Sequence, residues 1–169
     1  MTVKLIGAVL IILGTGGVGF SIAGSHRREV RTLQQLLTAV NYMYSELQYS
    51  LMPLPELCTR TAEMTTGSIR RFFMSLSDQL NAQISPHVRS CVEAALIQCD
   101  ITDKSKSILK LLGDTLGCFD LKGQLSGLDT IRDRAKNAIQ LCTNNQDMRL
   151  RSYQTLGLCA GAAIVIIFI

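Results

Sequence analysis

Apolar residues run without a charge from Leu5 to Ala23 and again from Tyr153 to Ile169, and between these runs they recur every three or four positions. From Arg27 to Leu51 the apolar series is Val30, Leu33, Leu36 or Leu37, Val40, Met43 or Tyr44, Leu47 and Leu51. That period, near 3.6, predicts one long helix ending about Ser50. Pro53 and Pro55 in the stretch LMPLPEL stop it and force a corner. A short helix follows with Leu57, Cys58, Thr61, Ala62 and Met64 on its apolar side, and Thr66 and Gly67 break it. Ser68 starts a third helix, with Ile69, Phe72, Phe73, Leu76 and Leu80 inward. Ser85 and Pro86 predict the start of a fourth, the serine capping free N–H groups and the proline suiting the first turn. Its buried face carries Val88, Cys91, Val92, Ala95, Leu96 and Cys99. Thr102 and Asp103 begin a fifth, with Ile108, Leu111, Leu112 and Leu116 inward and Gly117 as a left-handed cap. Asp120 caps the sixth, which carries Leu121, Leu125, Leu128, Ile131, Ala135, Ala138, Ile139 and Cys142 in coiled-coil-like steps. Asn144 and Asn145 loosen this last helix without ending it, so it should continue into the second apolar run. Strand signals are missing. The expected fold is all-α, an antiparallel bundle of about six helices.

The two charge-free runs decide how the bundle is held. A membrane helix needs roughly 20 apolar residues to cross a hydrocarbon core of about 30 Å; the first run meets this and the second is at the short end. The first also contains Gly14, Gly16 and Gly19, the G-x-G-x-x-G spacing of a dinucleotide-binding loop. Such a loop requires a strand before it and a second strand ending in an acid about 20 positions on. The stretch from Gln34 to Ala39 holds no acid and lies in a helical pattern, so that context is missing. Small residues four apart suit a membrane helix better, since they let another backbone come close. Thr15, Gly17 and Gly19 in the first run, and Gly157 and Gly161 in the second, are the candidate helix contacts; the alternative is that they simply face lipid. His26, Arg27, Arg28 and Arg31 follow the first run, and Arg149 and Arg151 precede the second, with Tyr153 where an interfacial aromatic would lie. Positive flanks on the inner side of both runs predict a cytoplasmic middle. A cleavable signal peptide is the competing reading of Lys4, the apolar core and Ser21-Ile22-Ala23, though the run is long for one. The expected organisation is therefore a transmembrane helix over 1–24, a cytoplasmic bundle over 25–152 and a second transmembrane helix over 153–169.

Composition narrows the chemistry. Omitting Lys4, the middle segment holds 16 of the 17 Lys and Arg and all 13 Asp and Glu. That balance is too even to argue for nucleic acid. The arginines at the two junctions could instead attract anionic lipid headgroups. His26 and His87 are read as solvated; His87 lacks a carboxylate three or four positions away. The six cysteines show no C-x-x-C and no metal-finger spacing, so they are read as reduced, small apolar groups. There is no P-loop and no nucleophile elbow. No catalytic, cofactor-binding or metal-binding residue is expected, and no enzyme activity.

Four stretches carry a resemblance that runs the length of the chain. They are Lys4-Leu5-Ile6-Gly7-Ala8; Glu46-Leu47-Gln48-Tyr49 followed by Met52-Pro53-Leu54-Pro55-Glu56; Thr115-Leu116-Gly117-Cys118-Phe119-Asp120 with Gln124 and Leu125 a turn on; and Tyr153-Gln154-Thr155-Leu156-Gly157. In that order they resemble the stage III sporulation protein AB family. Leu47 departs from the family's isoleucine, and Cys118 and Phe119 fill a position more often polar. The resemblance implies an endospore-forming bacterium and a place in the mother-cell membrane around the forespore. It implies a soluble domain similar to the platform protein of type II secretion and type IV pilus machines. The protein would be a non-enzymatic platform or adaptor in a channel complex between the two cells. Its partners would be a hexameric secretion-type ATPase of the same operon, other stage III membrane and ring proteins, and membrane lipid, with no cofactor and no small-molecule substrate. The candidate partner surface is Glu46, Tyr49, Pro53, Leu54 and Glu56; the alternative is that Tyr49 and Leu54 are core and the prolines only turn the chain. Asp120 and Gln124 are read as a helix cap and a polar-side residue. The rival in another class is an exported helical binding protein, released or anchored outside the membrane.

Overall fold

The computed structural model describes residues 27–50, 52–83, 85–117 and 120–168, with side chains up to residue 144. Within them the chain forms α1 (27–49), α2 (Leu54–Glu63), α3 (Gly67–Asn81), α4 (Val88–Ile97), α5 (Asp103–Thr115) and α6 (Leu121–Phe168), and no strand. The all-α class and the six helices match the expectation.

Contacts between helices fix the direction of each. The Thr66 N–H, just beyond α2, donates to Gln35 Oε1 of α1 at 2.9 Å, so α2 runs back along α1. Ser77 Oγ of α3 donates to the Pro55 carbonyl at the start of α2 at 2.9 Å, so α3 runs back along α2. Arg89 near the start of α4 pairs with Asp114 near the end of α5 at 3.0 Å. Arg28 of α1 pairs with Asp100, just before α5, at 2.7 Å. The Arg132 guanidinium of α6 lies 5.3 Å from the Tyr44 ring of α1, a cation–π contact that closes the bundle. Consecutive helices from α2 to α6 pack in sequence, giving an up-and-down antiparallel bundle with two ends. One end holds the start of α1, the α2–α3 turn, the start of α5 and Cys142. The other holds the α1–α2 corner, the end of α3 and the α5–α6 turn.

One core runs through it. Leu33, Leu36, Val40 and Met43 of α1, Leu57 and Cys58 of α2, Phe72, Phe73 and Leu76 of α3, Val92 and Ala95 of α4, Leu109 and Leu112 of α5, and Leu128 of α6 are completely buried. Phe72 and Phe73 meet edge to face at 5.1 Å. The buried hydroxyls are satisfied locally: Thr61 Oγ1 donates to the Leu57 carbonyl at 2.7 Å and Thr65 Oγ1 to the Thr61 carbonyl at 3.1 Å.

Several details differ from the sequence pattern. Met64 is exposed because it caps α2 after the amphipathic stripe has ended. Helix α4 starts at Val88, not at Pro86: His87 takes the cap position with an extended backbone, and Ser85 Oγ accepts only its N–H, at 3.4 Å. Leu121 is exposed at the first turn of α6. Asp120 does cap that helix, Oδ1 accepting the Gly123 N–H at 3.0 Å, and Gly117 takes the left-handed conformation (φ +77°) expected of it.

Among the described residues no helix is long and apolar enough to cross a membrane. The first expected anchor, 1–24 with Thr15, Gly17 and Gly19, lies outside them. Helix α6 runs unbroken through Gly157 and Gly161 to Phe168, as the lack of a stop signal predicted. Beyond residue 144 only its backbone is described.

Candidate functional site

The five candidate partner residues gather at the corner between α1 and α2. Helix α1 ends as the Ser50 N–H donates to the Glu46 carbonyl at 2.7 Å, and α2 begins as the Leu57 N–H donates to the Pro53 carbonyl at 3.0 Å. Two prolines in the turn remove N–H groups that a continuing helix would need, so the chain reverses there. Tyr49 is 81% exposed. Pro53 and Glu56 are exposed, Glu46 is half-buried, and Leu54 is half-buried and packed on the core. The corner thus offers an aromatic ring and two carboxylates around a small apolar floor.

Its electrostatics include two residues the sequence pattern did not single out. Glu56 pairs with Arg60 one turn on, at 2.8 Å, and this carboxylate holds the guanidinium still more firmly protonated. Burial raises the Tyr42 hydroxyl, and its hydrogen bond to the Glu46 carboxylate raises it further. Both are four-residue spacings on helices, Tyr42 to Glu46 and Glu56 to Arg60, and that spacing was the signal that could have found them.

At the other end of the bundle, Lys104 Nζ lies 3.4 Å from Glu29 Oε1 and donates to Cys142 Sγ at 3.6 Å. One lysine therefore bridges the first turn of α1 and the point where α6 leaves the core.

The other candidates stand apart from both ends. Cys58, Cys91, Cys99 and Cys142 are buried and free, while Cys118 and Cys159 lie outside the described side chains. Burial pushes the Cys58 thiol up to about 12 and raises Cys99 too. His87 is exposed, and Gln124 is half-buried on α6. Among the described residues no group of His, Cys, Asp or Glu could hold a metal ion.

Fold and corner together define an all-helical bundle with Tyr49, Pro53 and Glu56 exposed where α1 turns into α2. The chain belongs to the stage III sporulation protein AB family, whose model matches residues 4–169. It is 27% identical over 172 residues to stage III sporulation protein AB of Bacillus subtilis (strain 168), spanning 97% of this chain and 98% of that protein. A solved structure of stage III sporulation protein AB superposes with a TM-score of 0.64 at 21% identity, covering 72% of this chain and 98% of that one. At that identity the superposition speaks for the fold. The chain is a sporulation protein with an all-helical architecture.

Proposed function

We propose that this protein is a non-enzymatic platform, held in the mother-cell membrane by two transmembrane helices, that links a cytosolic hexameric ATPase to ring-forming membrane proteins of a channel between mother cell and forespore. One observation carries this reading: the two ends of the bundle have different characters. The Glu29–Lys104–Cys142 stitch brings together the points where the chain comes from and goes to its apolar terminal runs. The corner with Glu46, Tyr49, Pro53, Leu54 and Glu56 lies at the other end of α1, about 30 Å away at the helical rise per residue. Both runs would then enter one membrane side by side, and the corner would stand out where a cytosolic partner could reach it. The family membership and the balanced charge of the bundle support an assembly role, and the arginines flanking both runs support a cytoplasmic bundle.

The test is co-purification of the full chain with the ATPase of its operon, comparing the natural protein with Glu46→Lys and Glu56→Lys together. Each change reverses a charge at the corner while leaving the core residues in place. The expected result is loss of the ATPase from the purified complex with only a small drop in melting temperature, since the Glu56–Arg60 pair and the Tyr42–Glu46 hydrogen bond that are lost lie at the surface. Undiminished co-purification would remove the corner from the partner surface.

A further inference from the structure

The turn between α2 and α3 brings Ser68 and Arg71 against the first turns of α1. A cavity of about 400 Å³ opens there, lined by Arg28, Arg31, Thr32, Gln35, Ser68 and Arg71 among others. Arg71 also borders a second cavity along α3, lined by Arg70 and Asp78 among others. Three guanidinium groups, Arg28, Arg31 and Arg71, from two helices distant in sequence thus share the first cavity, which no pattern along either helix displays.

Their partners leave them available. Arg71 Nη2 donates to Ser68 Oγ at 3.2 Å, a neutral acceptor that orients the group without neutralising it. Arg28 pairs with Asp100 at 2.7 Å, but both side chains are mostly in water, at 64% and 76% exposure. Such a surface pair contributes little and exchanges readily. Arg31 and Arg70 form no ion pair among the described residues. Gln35 Oε1 is occupied by the Thr66 N–H, which keeps it from competing for the guanidinium groups.

We propose that Arg28, Arg31 and Arg71 form a docking site for the phosphate headgroups of anionic phospholipid. This rests on the anchored reading above, because it is the position of the groove that selects lipid. Residue 28 is five positions beyond the first apolar run, so even fully extended chain places it within about 18 Å of that run's end. The groove is at the end of the bundle where Glu29, Lys104 and Cys142 meet. A membrane surface would be the first anionic surface it encounters. Arginine suits the task, since its planar fork grips phosphate oxygens in pairs. The site would fix the tilt of the bundle on the membrane, in addition to the two helices that hold it there.

The experiment uses the full chain in a non-ionic detergent. Dihexanoyl-phosphatidylglycerol, dihexanoyl-phosphatidylcholine and inorganic phosphate are each titrated while the melting temperature is followed. Phosphatidylglycerol should stabilise the protein and the other two should not. Arg31→Gln and Arg71→Gln should each weaken that effect by about fivefold, the worth of one basic residue at an anionic surface. Lys110→Gln, an equal loss of charge at an exposed position on α5, should leave it unchanged. Equal weakening by Lys110→Gln, no weakening by the arginine variants, or equal stabilisation by inorganic phosphate would each overturn the proposal. Carbonate washing of membranes reads the anchoring separately. Release of the chain by carbonate would refute the anchors, whereas retention without a phosphatidylglycerol effect would refute the groove alone.

Discussion

Cys58 illustrates how a single buried residue ties stability to pH. It is completely buried on α2, and the lack of water around its sulfur pushes its thiol up to about 12. In the unfolded chain the same thiol ionises near pH 8.5. The folded state therefore holds the proton more tightly, and stability is fully present below the unfolded value and is lost as pH rises toward the folded one. Between about pH 9 and pH 11 the natural protein should lose roughly 1.4 kcal/mol per pH unit more than Cys58→Ala does. Urea denaturation of the two proteins across that range measures the difference; parallel curves would mean that Cys58 is not the titrating group. Residues of this kind were legible where the apolar stripe was clean. Phe72, Phe73, Val92 and Leu128 all fall where periodicity put them. Leu109 did not stand out in the sequence. It shares the buried face of α5 with Ser105, Ile108 and Leu112, and a serine on that face hides the stripe and shifts attention toward Leu111, which is only half-buried.

At the scale of helices, close approach matters more than propensity. A methyl group on Gly127 of α6 would collide with Cγ2 of Thr115, whose own Oγ1 is tied to the Leu111 carbonyl at 2.9 Å. Alanine is favoured over glycine by about 1 kcal/mol in a free helix. Overpacking a fitted contact costs about 1–3 kcal/mol, so Gly127→Ala should be net destabilising. Adding Thr115→Ala should recover part of that loss, because the colliding carbon is gone; a urea double-mutant cycle reads the coupling, and simple additivity would deny the contact. Gly113 plays the same part between α5 and α4, where a methyl would lie 2.8 Å from the Arg89 backbone. Sequence alone marked the turn glycine Gly117 correctly, because a left-handed cap has a positional signature. A helix-interior glycine has none. What it is pressed against lies on another helix, and only the packed structure supplies it. The start of α4 was misplaced for a related reason: Ser85 and Pro86 carry the chemistry of a helix start, but the turn uses them before the helix begins.

For the whole molecule, the number and order of helices followed from periodicity and from its interruptions at Pro53, Gly67 and Gly117. Which groups meet at each end did not, since Arg31 and Arg71, or Glu29 and Cys142, are joined only by the antiparallel path of the chain. That path gives the last prediction. Lys104 ties α6 to the start of α1 at Cys142, and from there α6 continues without a break to Phe168. A helix carries a tilt or rotation along its length, so under the platform reading a movement of the bundle would reach the terminal run. Asn144→Pro with Asn145→Pro breaks that connection just beyond the bridge. Each proline costs about 3 kcal/mol within a helix and removes a backbone donor. The core positions Leu128, Ile131 and Ala135 lie well before the break, so the bundle should stay folded, its melting temperature lowered only as far as the last turn around Cys142 frays. Heat-resistant spore counts in a strain relying on the variant should fall sharply if α6 acts as a lever. Unchanged counts with an intact bundle would make the terminal run a tether, and any force in the complex would have to pass through the corner at Tyr49 and Glu56 without passing along α6.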